Sequence, residues 1–116
     1  MEKKLKQAAR KLLFELGAPV SSKGFNYAVE ILCDGVANNK MIVSGSKVYA
    51  NWGPVFGDTP TRTERALRFV KEECLLENNH KFQSIFGNGA AKDKFSVYEF
   101  LEMLRLHLLD EMDYNK

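Results

Sequence analysis

Thr59-Pro60-Thr61-Arg62-Thr63-Glu64-Arg65-Ala66-Leu67-Arg68 is the stretch on which the fold turns. Threonine followed by proline marks a helix start. The Thr59 side-chain oxygen can cap an orphan N–H, and Pro60 suits the first turn, where its missing N–H removes no bond. From there Thr63, Ala66, Leu67, Val70 and Cys74 follow a three-and-four spacing, which predicts an inward stripe. Arg62, Glu64, Arg65 and Arg68 fall on the rest of the circumference. An arginine fork can donate to guanine N7 and O6, and a carboxylate can accept from cytosine N4, so these residue types suit a reading head in a DNA groove. A solvated helix face is the other reading of the same charges.

Upstream, a short helix is expected over Lys47 to Phe56. Gly53-Pro54 is awkward there, because an interior proline removes a hydrogen bond and clashes with the preceding turn. The conflict eases if the regular part starts near Asn51 and leaves Pro54 in its first turn. Gly57-Asp58 then turns the chain into the helix that runs from about Pro60 to Glu77, and Asn78-Asn79 stops it. The remaining pattern is also helical. Residues 3 to 16 carry Leu5, Ala8, Ala9, Leu12, Leu13 and Leu16 on one face, and Gly17-Ala18-Pro19 ends that run. A second helix begins near Ser22 or Lys23 and carries Phe25, Ala28, Val29, Leu32, Cys33 and Val36 as far as Asn38-Asn39. Residues 40 to 45 form a connector. A brief helix covers His80 to Phe86, and Asn88 to Lys94 reads as a surface loop. Ser96 with Glu99 forms a capping box that opens a last helix, whose stripe is Val97, Phe100, Leu101, Leu104, Leu108 and Met112. The expectation is an all-α, single six-helix domain over residues 1–116, with a helix-turn-helix at about 46–77.

Composition narrows the function classes. A chain of 116 residues with a hydrophobic fraction of 45% supports one modest core. No apolar run approaches a bilayer span, and the start Met1-Glu2-Lys3-Lys4-Leu5-Lys6 lacks the apolar segment of a signal peptide, so the expected location is the cytoplasm. Cys33 and Cys74 lie far apart in apolar patterns and read as buried thiols; with only His80 and His107 besides, no metal set and no cofactor is expected. His107 has acids nearby in Asp110 and Glu111 and could act as a base. No nucleophile or glycine-rich phosphate loop accompanies it, which argues against an enzyme. Net charge is only +2, but basic residues gather at Lys3, Lys4, Lys6, Arg10 and Lys11, and again at Arg62, Arg65, Arg68 and Lys71.

A short helix, a glycine turn and a second helix with arginines near its start is the pattern of a helix-turn-helix, in which the second helix lies in the major groove. Several segments add specificity: Glu15-Leu16-Gly17-Ala18-Pro19, Lys23-Gly24-Phe25-Asn26-Tyr27, Lys47-Val48-Tyr49, Phe56, the run Thr59 to Arg68, Ser84-Ile85-Phe86-Gly87 and Glu99-Phe100. In these the chain resembles the C-terminal DNA-binding domain family of the sporulation master response regulator, stage zero sporulation protein A of spore-forming Firmicutes. The resemblance implies a six-helix domain that binds short promoter boxes and activates or represses transcription. It implies base reading by Arg62, Glu64 and Arg65. It also implies DNA-backbone contacts from Ser44, Ser46 and Lys47, with Thr61 and Arg68 on the same surface. The implied partners are double-stranded DNA, RNA polymerase or a sigma factor, and a second copy on an adjacent box, with no membrane.

Three features depart from the family pattern. Nothing here resembles the phosphoacceptor receiver domain that the family protein carries. Pro54-Val55 stand where the family tends to have lysines, and Phe69 follows Arg68 where a polar residue is expected. These departures keep a second reading in view, a receiver-less module that binds another regulator or RNA polymerase in place of DNA. Trp52 could anchor a partner, but packing against the recognition helix is the reading its position favours. Phe25, Tyr27 and Phe86 read as core. The stripe of the last helix could form a dimer interface, although one buried face is all that a single domain needs.

Overall fold

In a computed structural model, residues 2–42, 46–87 and 95–114 are described, and all six expected helices are present. They are α1 (Glu2–Glu15), α2 (Lys23–Ala37), α3 (Ser46–Trp52), α4 (Pro60–Glu77), α5 (His80–Phe86) and α6 (Val97–Tyr114). Each boundary has a local cause. The Ser22 hydroxyl caps α2 by accepting from the Phe25 N–H at 3.2 Å. Asn78 ends α4 in the left-handed conformation, and Asn79 starts α5 by accepting from the Phe82 N–H at 2.9 Å. The capping box of α6 closes in both directions: the Ser96 N–H donates to Glu99 Oε1 at 2.8 Å, and the Glu99 N–H donates to Ser96 Oγ at 3.2 Å.

The structure corrects the third helix. It runs Ser46–Trp52 and lies wholly before Gly53-Pro54, so Asn51 sits in its last turn, not its first. Proline disfavours helical backbone in the residue before it, and its ring blocks continuation. The chain leaves the helix at Gly53, whose N–H still donates to the Tyr49 carbonyl at 2.9 Å. It then closes a turn in which the Asp58 N–H donates to the Gly53 carbonyl at 2.8 Å. Pro54 and Val55 are exposed on that turn. The expected loop at Asn88 to Lys94 lies outside the described residues, as does the end of the connector at 43–45.

α2 is the hub of the packing and touches α1, α4 and α6, while α3 lies on α4 and α5 on α6. The core joins Leu12, Leu13 and Leu16 of α1, Phe25, Val29 and Leu32 of α2, Leu67 and Val70 of α4, Phe82 of α5, and Phe100, Leu104 and Leu108 of α6. Burying each of these side chains contributes about 1.5–3 kcal/mol. Phe82, Phe86, Phe95 and Phe100 stack on one another at one end of that core. Phe25 is core, whereas Tyr27 and Phe86 are half-buried at its edge. Cys74 is buried as expected, and burial, with Glu73 and Glu77 nearby, pushes its thiol up to about 12. Cys33 is only half-buried, because its place in α2 opens on a cavity beside Lys3 and Lys6.

One core group does not follow from the apolar stripe of α6. Arg105 is 5% exposed and donates to both oxygens of Glu102, at 2.7 and 2.6 Å. Glu102 also accepts the Ile42 N–H at 3.0 Å, so this pair latches the connector before α3 onto α6. The Arg105 hydrogen bonds hold the Glu102 carboxyl below the usual carboxylate range. His107 Nε2 lies 2.7 Å from Glu111 Oε1, the neighbour its spacing suggests. Among the described residues no helix is long and apolar enough to cross a membrane.

Candidate nucleic-acid interface

The start of α4 is fixed from three directions. Thr59 Oγ1 accepts from the Arg62 N–H at 3.1 Å, while the buried Thr63 hydroxyl donates to the Thr59 carbonyl at 2.8 Å. One residue earlier, Asp58 clamps the turn to α2. Its Oδ2 accepts from the Tyr27 hydroxyl at 2.8 Å and from Lys23 Nζ at 3.1 Å, and its Oδ1 accepts from the Thr59 N–H at 2.9 Å. The Tyr27 ring stacks on Phe56 of the same turn with centroids 4.0 Å apart and planes within 2°. Trp52 also stacks against Phe56, with centroids 5.4 Å apart, and lines a cavity against α2. Trp52 therefore steadies the turn that precedes α4. At Gly53 an added Cβ would lie 2.9 Å from the Tyr49 carbonyl oxygen and 3.0 Å from that of Asp58, so the turn closes tightly over a hydrogen side chain. Gly57, at φ +68°, takes the left-handed conformation that the turn needs.

The inward stripe of α4 is as the spacing predicts: Thr63, Ala66, Leu67, Val70 and Cys74 are all buried. At 100° per residue, Thr61, Arg65, Arg68 and Glu72 then point most directly outward. Arg62 and Phe69 lie on one flank and Glu64 on the other. The first flank borders α2, where Arg62, Arg65 and Phe69 line a groove of about 350 Å³ together with Ser22, Lys23 and Gly24. The second borders α3, where Tyr49 senses the charges of Glu64 and Arg68. Glu64 Oε1 pairs with Arg68 at 3.2 Å and is half-buried, whereas Arg62, Arg65 and Arg68 are exposed. Among the described residues, Arg62 and Arg65 enter no ion pair.

The other candidates divide. Thr61, Ser46 and Lys47 are exposed, and Ser44 lies outside the described residues. Lys71, part of the basic run in sequence, is drawn away from this surface and donates to the Phe95 carbonyl at 2.9 Å. The N-terminal basic group is partly spent on α2: Lys6 pairs with Glu30 at 3.3 Å, and the Arg10 guanidinium sits over the Phe25 ring. Beyond Lys71 the exposed face of α4 turns acidic at Glu72, so its positive character is confined to the first three turns. Among the described residues, no three His, Cys, Asp or Glu side chains could hold a metal ion.

Tyr27, Asp58 and Lys23 form a clamp before α4 that periodicity alone missed. The Tyr27 hydroxyl and Lys23 hold the Asp58 carboxyl below its ordinary value. A carboxyl with a lowered folded-state value contributes stability above the unfolded value of about 3.9, and that contribution is lost as pH falls through the folded value. The melting temperature should therefore stay level from neutral pH to about 5 and fall below about 4. Asp58→Asn should melt lower at neutral pH and show a smaller acid-induced drop. Equal drops in the two proteins would mean that the clamp carries none of it.

Over residues 9–108 the chain matches the family model described as sporulation initiation factor Spo0A C terminal. That span takes in the whole of α2 to α5, the clamp and every described candidate DNA-facing residue. The chain therefore belongs to the Spo0A C-terminal family, the DNA-binding effector domains of sporulation regulators.

Proposed function

We propose that α3, the Gly53–Asp58 turn and α4 form a helix-turn-helix that reads short promoter boxes in double-stranded DNA and regulates transcription in the cytoplasm. The observation that carries this reading is the pair Arg62 and Arg65, exposed in the opening turns of a capped, clamped helix and held by no carboxylate among the described residues. Arg62 and Arg65 donate to guanine edges. Glu64, oriented by Arg68 at 3.2 Å, accepts from cytosine N4. Ser46, Lys47, Thr61 and Arg68 meet phosphates, with Ser44 beside them in the chain. One domain covers little DNA surface, so useful affinity calls for two copies on adjacent boxes. RNA polymerase or a sigma factor is the partner that would convert this occupancy into activation.

Selection from a randomised duplex pool tests the reading. A regulator of this kind enriches one short box, rich in the G·C pairs that two arginines and a glutamate select, and binds it less tightly as salt rises. Recovery of an unenriched pool would favour the second reading, a protein-binding module, for which exposed Phe69 and Val55 are the supporting observation.

A further inference from the structure

The groove between α2 and α4 holds a cation that the helix-turn-helix does not account for. Lys23 comes from α2, outside the α3–turn–α4 unit, yet it lines the same groove as Arg62 and Arg65. Its ammonium donates to Asp58 Oδ2 at 3.1 Å while the side chain stays 57% exposed, so the outer side of the ammonium is open to a second anion. Asp58 itself is covered, at 9% exposed, and both its oxygens are engaged by Tyr27, Lys23 and Thr59. The groove thus presents three cations to solvent over one carboxylate that faces inward.

We propose that Lys23 is a DNA-backbone contact, which seats a phosphate of the strand that runs along the α2 side of the recognition helix. The inference rests on the base-reading proposal above and extends it. When α4 enters a major groove about 12 Å wide, both of its flanks face sugar-phosphate backbone. On the α3 flank, Ser46 and Lys47 are at hand, one turn before Tyr49 beside Glu64 and Arg68. On the α2 flank, Arg62 and Arg65 are committed to bases, and Lys23 is the cation that remains. An ammonium has three N–H donors, so Lys23 bridges the clamp carboxylate and a phosphate at once. The fold brackets the reading helix with one lysine on each side, and the Lys23 contact carries no sequence information of its own.

Lys23→Gln tests this by anisotropy titration of the selected box and a scrambled duplex across a salt series, with Lys40→Gln as a charge-matched control away from the groove. The expected result is a proportional loss on both duplexes and a salt slope shallower by about 0.9, the share of one phosphate contact. Lys23→Arg should restore both, and Lys40→Gln should keep the parent slope. A loss confined to the box, with the slope unchanged, would mean that Lys23 acts only through Asp58 and would overturn the phosphate contact. No change on either duplex overturns it too. If the parent protein prefers neither duplex, the base-reading proposal falls, and this one with it.

Discussion

Arg65→Ala will prefer the selected box over a scrambled duplex roughly 5- to 150-fold less than the parent protein does. Arg65 points directly away from the buried stripe of α4, is exposed, and has no ion-pair partner among the described residues to compete with DNA. A bidentate arginine–guanine contact discriminates by about 1–3 kcal/mol, or roughly 5- to 150-fold in affinity ratio. Nearly all of that should disappear from the box, while binding to the scrambled duplex weakens only by the loss of one positive charge. The melting temperature should not move, because the side chain packs on nothing in the core and surface changes of this kind stay within about 0.5 kcal/mol. Arg68→Ala gives a useful contrast. It removes a charge from the same face and releases Glu64, so both duplexes should lose affinity and the box should lose more. If Arg65→Ala keeps the full preference for the box, α4 is not the reading helix, and the exposed apolar residues Phe69 and Val55 become the surface to pursue.

The helices themselves were legible in sequence because their signals are local. Thr59-Pro60, Asn78-Asn79 and Ser96 with Glu99 are punctuation read within one turn, and the α4 stripe Thr63 to Cys74 is a periodicity that burial reproduces residue by residue. The single misplaced helix fell where two local rules conflict. Pro54 is tolerated in a first turn and forbidden in an interior, and the spacing of Val48, Trp52 and Phe56 does not say on which side of the proline the helix lies. What could not be read is contact between elements. Tyr27 and Asp58 are 31 positions apart and meet only because α2 crosses the turn before α4. Tyr27 reads as core in the sequence, which is half right, since its ring packs on Phe56 while its hydroxyl leaves the core to hold the clamp. Arg105 was hidden for the opposite reason, as a charge inside a helix whose neighbours Leu101, Leu104 and Leu108 are all buried. Only its position beneath Gly35 and its bidentate grip on Glu102 explain it. For the site, the resemblance pointed to the outward face of α4. The structure supplied the two flanks and the residues that hold the helix between them.

Gly24→Ala will cost both stability and DNA binding, although helix propensity alone predicts the reverse. In an isolated helix, alanine is favoured over glycine by about 1 kcal/mol. Here α2 crosses α4 at this residue, and a Cβ on Gly24 would overlap the Ala66 carbonyl oxygen and come within 2.9 Å of Val70 Cγ2. The obstruction is backbone inside a helix, so no rotamer change can relieve it and the two helices must move apart. Overpacking of this kind costs about 1–3 kcal/mol, which outweighs the propensity gain. The consequence reaches the interface, because Lys23 and Tyr27 travel with α2. Displacing α2 pulls on Asp58 through the contacts at 3.1 and 2.8 Å and tilts the start of α4 away from the geometry its arginines need. Binding to the box should therefore fall more steeply than the loss of folded protein explains, even at temperatures well below the melting transition. Gly57→Ala separates this from a general glycine effect: its added Cβ meets nothing within 4 Å, and only the left-handed backbone at φ +68° is penalised, by about 1–2 kcal/mol. Thermal melting and box affinity measured on the two variants decide the matter. A Gly24→Ala protein that melts at or above the parent temperature and binds the box normally would show that α2 and α4 do not pack this closely, and would remove the physical basis for a clamp that aims α4.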